Sequence, residues 1–330
     1  PIKNKSIQSV ASISPVISIR QSIVSLLPAA TEIVALLKSV DQLVGRSHEC
    51  DWPEAVLDAK VITSSNIDSH TSSREIDRQI KDATDGGLFK IDECTLRSLA
   101  PTFILTQNAC QVCAVDANVV TRIAADIMLP NGNRPQVVSL SPSSLEELFT
   151  DINRVGNALN KEDQAESVVT DLRSRCEDVS TKCIQLNSSN NDTPRVALIE
   201  WRDPPMSAGN WVPEMIQMAG ATDALKADPG KSHWIKWPDV AAADPDIVIL
   251  IPCGFELDRV LTEAKTPAVW PHLKDLRATH EGSLFAVDGH HLFNRPGPRL
   301  VDSLEVLAEL LHPQSFQFEA TARFAKRIEM

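Results

Sequence analysis

The chain of 330 residues has room for two domains, and its 43% hydrophobic and 23% charged content is that of a globular protein with a sizeable core. A net charge of −12 argues against a nucleic-acid surface, and no apolar run reaches membrane-spanning length, so neither nucleic acid nor membrane insertion is expected. Seven cysteines, an odd number, exclude complete disulfide pairing; with no charged-then-apolar leader in residues 1–20, a cytoplasmic protein is expected, or an exported one whose leader was removed.

Residues 1–19 read as a tail or an edge strand. Residues 22–27 form a short apolar strand, and Pro28 opens a helix to about Leu37. Residues 44–46 are a strand running into Ser47–Pro53. The Ser/Thr-rich stretch 61–73 reads as a polar lid or lobe connector. Helices are expected over 73–83, 92–99 and 118–128, with a turn at 85–87 and strands at 101–106 and 136–140. In the second half, strands are expected at 195–200, 247–251 and 284–287, and helices at 210–220, just after 238, and at 300–311. His312-Pro313 ends the last helix, and the remainder reads as a tail. Strands alternate with helices, so the sheets should be mostly parallel.

The stretch between the two halves organises the chain. Apolar residues recur at helical spacing through Leu145, Leu148, Phe149, Ile152, Val155 and Leu159, then through Ala165, Val169, Leu172, Cys176, Val179 and Cys183. The second helix, 162–186, would be about 37 Å long at 1.5 Å per residue. The expected fold is therefore α/β, with two Rossmann-like lobes of mostly parallel sheet joined by a long backbone helix. The first lobe is 20–142, the connecting helices 143–187 and the second lobe 194–313. The alternative is an ordinary long helix on one large domain.

In open parallel sheets, ligands bind beyond the carboxyl ends of the strands. Five such segments carry the unusual residues: 47–52, 107–113, 200–211, 253–255 and 290–295. Six tryptophans with no tyrosine suit either a pocket for a flat ligand or core packing.

Ser25-Leu-Leu-Pro-Ala-Ala-Thr-Glu-Ile-Val34 and Val44-Gly-Arg-Ser-His-Glu-Cys-Asp-Trp-Pro53 resemble the opening of the cobalamin- and metal-chelate-binding proteins of ABC transporters. Thr106–Val115, Glu200–Pro205, Ala208–Met215 and Phe293–Asp302 are similar to a branch of that family with a Cys pair. The resemblance implies two lobes on a backbone helix, a ligand between them and small hinge motion. It makes His48 and Trp52 aromatic candidates, sets Trp201 where an aromatic residue borders a corrin, and turns Arg295 to the cleft.

Read as residues, Cys110 and Cys113 can hold zinc if Cys50, His48 or another group completes a tetrahedron, can cycle as a dithiol, or can simply pack. His48 and Glu49 are ligand candidates, as is Glu200 at its strand end. Gln107, Phe255 and Asn294 lie in the same rim segments. Trp211 stacks on ligand or pins its helix. Arg295 forks onto a carboxylate or phosphate, or braces its loop. The expected function is non-catalytic: a monomer holding a corrinoid or other metal chelate for uptake through an ABC permease. The alternative is a cytosolic metal-dependent enzyme or zinc protein using Cys110 and Cys113.

Overall fold

The computed structural model describes residues 21–83, 88–107, 117–190, 193–226 and 231–329. Cys110 and Cys113, the turn expected at 85–87 and residues 1–19 lie outside them.

The first lobe runs β1 (Ile23–Ser25), α1 (Pro28–Leu36), β2 (Leu43–Arg46), β3 (Lys60–Val61), β4 (Thr63–Ser65), α2 (Ser73–Asp82), β5 (Phe89–Ile91), α3 (Glu93–Leu99), β6 (Phe103–Gln107), α4 (Ala117–Asp126) and β7 (Gln136–Leu140). The sheet order is β3-β2-β1-β6-β7, every pair parallel. Strands β4 and β5 form a separate antiparallel ribbon. That ribbon is absent from the sequence expectation because Thr63-Ser64-Ser65 has no apolar alternation to mark a strand.

Two helices follow, α5 (Leu145–Ala158) and α6 (Glu162–Asn190). The Ser144 hydroxyl caps α5 by accepting from the Glu147 amide. A Cβ on Gly156 would lie 2.4 Å from that of Ala165, so only glycine lets α5 meet the start of α6. Helix α6 starts where expected but runs to Asn190, past the end expected at 186. Its 29 residues span about 44 Å.

The second lobe runs β8 (Arg195–Arg202), β9 (Pro205–Ser207), α7 (Val212–Met218), β10 (Thr222–Asp223), β11 (His233–Trp234), α8 (Trp237–Ala243), β12 (Ile247–Leu250), α9 (Leu257–Ala264), α10 (Trp270–Leu273), α11 (Arg277–His280), β13 (Leu284–Val287) and α12 (Leu300–Leu311). The chain then continues through α13 (Glu319–Phe324) and β14 (Ala325–Arg327). The tail expected after Pro313 is thus structured: β14 adds antiparallel to β13. The central strands β8, β12 and β13 are parallel, flanked by antiparallel β9 and β14.

One apolar cluster runs through both lobes. Ala165, Val169, Leu172, Cys176, Val179 and Cys183 of α6 share it with Ile33 and Leu105 of the first lobe and with Ile249 and Leu304 of the second. A strut embedded in a common core resists bending, because close-packed interiors deform little.

Candidate ligand-binding site

The carboxyl ends of β2, β8, β12 and β13 carry the chemistry, and two clasps bring the lobes together there. The first clasp centres on Asp51, in the loop after β2. Its Oδ1 accepts from Arg295 Nη1 at 2.6 Å, and its Oδ2 accepts from Arg295 Nη2 at 3.0 Å. His290 Nε2 lies 2.6 Å from Oδ2 and 2.7 Å from Arg295 Nη2. That nitrogen either donates to Asp51 or accepts from Arg295, according to its tautomer. Burial pushes the Asp51 carboxyl up, but the hydrogen bonds from His290 and Arg295 outweigh it and hold the group well below the usual carboxylate range. Glu32, buried on α1, takes Arg299 with both oxygens, at 2.6 and 3.1 Å, and lies 3.6 Å from Arg295.

Local backbone requirements place this clasp. Asp288 accepts from the amides of His290 and His291, at 3.0 and 2.7 Å, and so fixes the loop after β13. A Cβ on Gly289 would lie 2.1 Å from the Pro252 carbonyl oxygen, so glycine lets this loop close on its neighbour. Asn294 Nδ2 donates to the carbonyls of Ile251 and Gly289, both at 2.9 Å.

Asp51, His290 and His291 offer ligand atoms within 4.8 Å of one another, a spacing compatible with a cation. The Arg295 guanidinium already spans both Asp51 oxygens and repels a cation at close range. The group therefore serves as a lobe clasp.

The second clasp is a strap, residues 66–82, that leaves the first lobe and lies on the second. Arg259 donates to the carbonyls of Ser69 and of Thr71. Arg202 Nη2 donates to Ser73 Oγ at 3.1 Å, and Ser73 Oγ donates to Glu263 at 2.8 Å. Arg74 forks onto Asp203 at 3.0 and 2.8 Å. Ile76 of α2 is buried in the same apolar cluster as Trp201, Phe255 and Val260. The Ser/Thr-rich stretch is thus the approach to a lobe-bridging helix.

The expected site residues separate into groups. His48 is half-buried in the first lobe: Nδ1 lies 2.7 Å from Thr63 Oγ1 and Nε2 lies 3.3 Å from Glu49 Oε1. His48 beside it holds the Glu49 carboxyl below its ordinary value, against the opposing effect of burial. Gln107 is buried at the end of β6. Glu200 accepts from Ser232 Oγ at 2.6 Å. Trp201 stacks edge-on against Phe255, ring centroids 5.3 Å apart.

Other expected residues are turned elsewhere. Trp211, weighed as stacking on ligand or pinning its helix, is buried and its Nε1 donates to the Phe293 carbonyl at 2.7 Å, which ties the start of α7 to the loop after β13. Arg295, weighed as a ligand fork or a brace, forks onto Asp51, which matches its geometry bidentately. Asn294 braces two turns. Trp52 faces a groove of about 890 Å³ between α1, α6, α12 and α13, with the guanidinium carbons of Arg299 and Arg323 at 5.4 and 5.0 Å from its ring.

Cys50 does not fit a zinc role. Its buried Sγ accepts from Thr31 Oγ1 at 3.0 Å, and burial pushes its thiol up to about 11, whereas a zinc ligand is the thiolate. Sequence reading passed over Asp51 as a site residue, although it lies in a segment already marked, and passed over Glu32, Arg202 and Arg299. The carboxylate–arginine complement within those segments was the available signal.

The family model for periplasmic binding proteins matches residues 23–280. An uncharacterized ABC transporter substrate-binding lipoprotein of Bacillus subtilis (strain 168), YvrC, is 23% identical over 300 residues, covering 90% of this chain and 82% of that protein. Among solved structures, a periplasmic heme-binding protein from Pseudomonas aeruginosa superposes with a TM-score of 0.70 at 21% identity, covering 94% of this chain and 98% of that one. The periplasmic vitamin B12-binding protein BtuF of Vibrio cholerae gives 0.63 at 17% identity, covering 90% and 98%.

These findings correct the cytoplasmic expectation drawn from residues 1–20: the matching family is periplasmic, and the curated relative is a lipoprotein. They also remove the enzyme alternative, since proteins of this family bind substrates for ABC transporters and catalyse nothing. No helix among the described residues is long and apolar enough to cross a membrane. The chain belongs to the periplasmic binding protein family.

Proposed function

We propose that the protein binds a metal-chelating tetrapyrrole, a corrinoid or a heme, between its lobes and presents it to an ABC permease. The observation that carries this reading is the Trp201–Phe255 pair, which sits at the carboxyl ends of β8 and β12 on the face that the first lobe's strap covers. Aromatic faces at strand ends between two lobes suit a large flat ligand. The fold likeness to a heme-binding and a vitamin B12-binding protein supports the same class. His48, Glu49, Gln107 and Glu200 would border the ligand from the rims of the two lobes, while Asp51 and Arg295 hold the lobes in register.

Titration of hydroxocobalamin and of hemin, followed by visible absorbance and calorimetric heat, tests the reading. A saturable shift with one of them is expected. No binding by either up to about 1 mM, a standard free energy weaker than about −4 kcal/mol, would remove the tetrapyrrole class.

A further inference from the structure

Beneath the strap lie hydrogen-bond donors with nothing to donate to. Nε1 of Trp201 and both Nε and Nη1 of Arg202 are buried and meet no acceptor among the described residues. Arg202 is 0% exposed and Trp201 8%. An orphaned buried donor is costly, and a second state of the protein that supplies an acceptor accounts for keeping it. Trp201 and Arg202 are consecutive at the end of β8, just past a shift in the β8–β9 register between Ile199 and Trp201. On a regular strand they would face opposite ways. Here both reach Phe255: Trp201 edge-on, and Arg202 with its guanidinium carbon 4.9 Å from the ring centroid.

The charges at this place do not cancel. Glu263 is shared by two guanidiniums, Arg202 at 2.6 Å and Arg259 at 3.0 Å. Asp203, the neighbouring carboxylate, is taken by Arg74 of the strap. One positive charge is left over among the described groups. Burial, opposed by Glu263, depresses Arg202 to about 10, a sign that its charge is poorly compensated where it sits.

We propose that the strap covers a preformed anion site, and that a carboxylate of the bound ligand takes the free donors of Arg202 and Trp201 when the strap lifts. This deepens the tetrapyrrole reading and rests on it: the ligand class becomes one with an acidic side arm beside a flat ring. The ring packs on Phe255 and Trp201 while the acid meets Arg202. The strap is one continuous segment, residues 66–82, ending in α2. Its hold consists of Arg259 on two carbonyls, Ser73 on Glu263, Arg74 on Asp203, and the apolar contact of Ile76.

The test compares hemin, whose two side arms are free acids, with its dimethyl ester, on wild type, Trp201→Phe and Arg202→Met, with melting curves of each ligand-free protein. Wild type is expected to favour the free acid by about tenfold, equivalent to about 1.4 kcal/mol. Both variants should lose most of that preference, and cooperative melting of each ligand-free protein shows that it is folded. Arg74→Ala, which frees one end of the strap, should speed association severalfold. Equal affinity of wild type for acid and ester overturns the anion site and leaves the tetrapyrrole reading standing. Binding of hydroxocobalamin without hemin has the same consequence. A Trp201→Phe or Arg202→Met protein that melts cooperatively and keeps the full preference for the acid also overturns the site. No binding of any tetrapyrrole removes the proposed function and this inference together.

Discussion

Asp51 and Arg295, one from each lobe and 244 residues apart in sequence, form a two-point ion pair at 2.6 and 3.0 Å. Arg295 is 8% exposed, whereas 34% of the Asp51 side chain is open to water. Breaking a fully buried pair costs about 3–5 kcal/mol, because a charge is left unpaired. Solvent at Asp51 lowers the expected loss for Asp51→Asn to about 2 kcal/mol. Arg295→Lys keeps the charge but cannot span both oxygens, so it should lose a smaller amount. Urea unfolding of the three proteins checks this. Wild-type midpoints for both variants would show that the clasp contributes nothing.

The same pair sets an acid limit. Its folded-state pKa is depressed below the unfolded value of about 3.9. The stabilisation is therefore complete above that pH and is lost as pH falls toward the lower folded value. Melting temperatures measured from neutral pH down to about pH 3 should show the gap between wild type and Asp51→Asn constant above about pH 5 and narrowing below about pH 4. A constant gap across the range would place the stabilisation elsewhere.

The approach of α5 to α6 depends on Gly156. Gly156→Ala puts a methyl carbon 2.4 Å from that of Ala165, and overpacking of this kind costs about 1–3 kcal/mol. The double change Gly156→Ala, Ala165→Gly should recover part of the loss, limited by the Lys161 carbonyl oxygen at 3.2 Å. Thermal melts decide. A single variant as stable as wild type would show that the helices can separate freely.

Cys50 should be inert in the folded protein. Its buried thiol, pushed up to about 11, is hardly ionised at neutral pH and is closed to reagents. Cys94 is exposed. Brief alkylation of native protein followed by peptide mapping should modify Cys94 and spare Cys50, with Cys50 reacting only in denaturant. Rapid native labelling of Cys50 would show that the Ser47–Pro53 loop opens.

The sequence by itself determined the alternation of strands and helices in each lobe, the parallel central strands and the strut. Each rests on local signals: the apolar spacing through Ala165 to Cys183 and the continuous apolar runs of β6 and β12. It also marked the strand-end segments that meet between the lobes, because sheet polarity puts them on one rim. Tertiary structure alone decided which side chains in those segments face each other. Arg295 reads equally as a ligand fork or a brace until Asp51 is brought to it from the other lobe. Trp211 reads as a stacking ring until the Phe293 carbonyl arrives at its indole nitrogen. The strap, with little apolar content beyond Ile67, Ile76 and Ile80, looks like a solvated loop and helix, yet it buries Ile76 against the opposite lobe. Pairings of this kind link residues far apart in the chain. Periodicity and spacing report only what happens within a few residues, so such partners become visible when the fold supplies the contact.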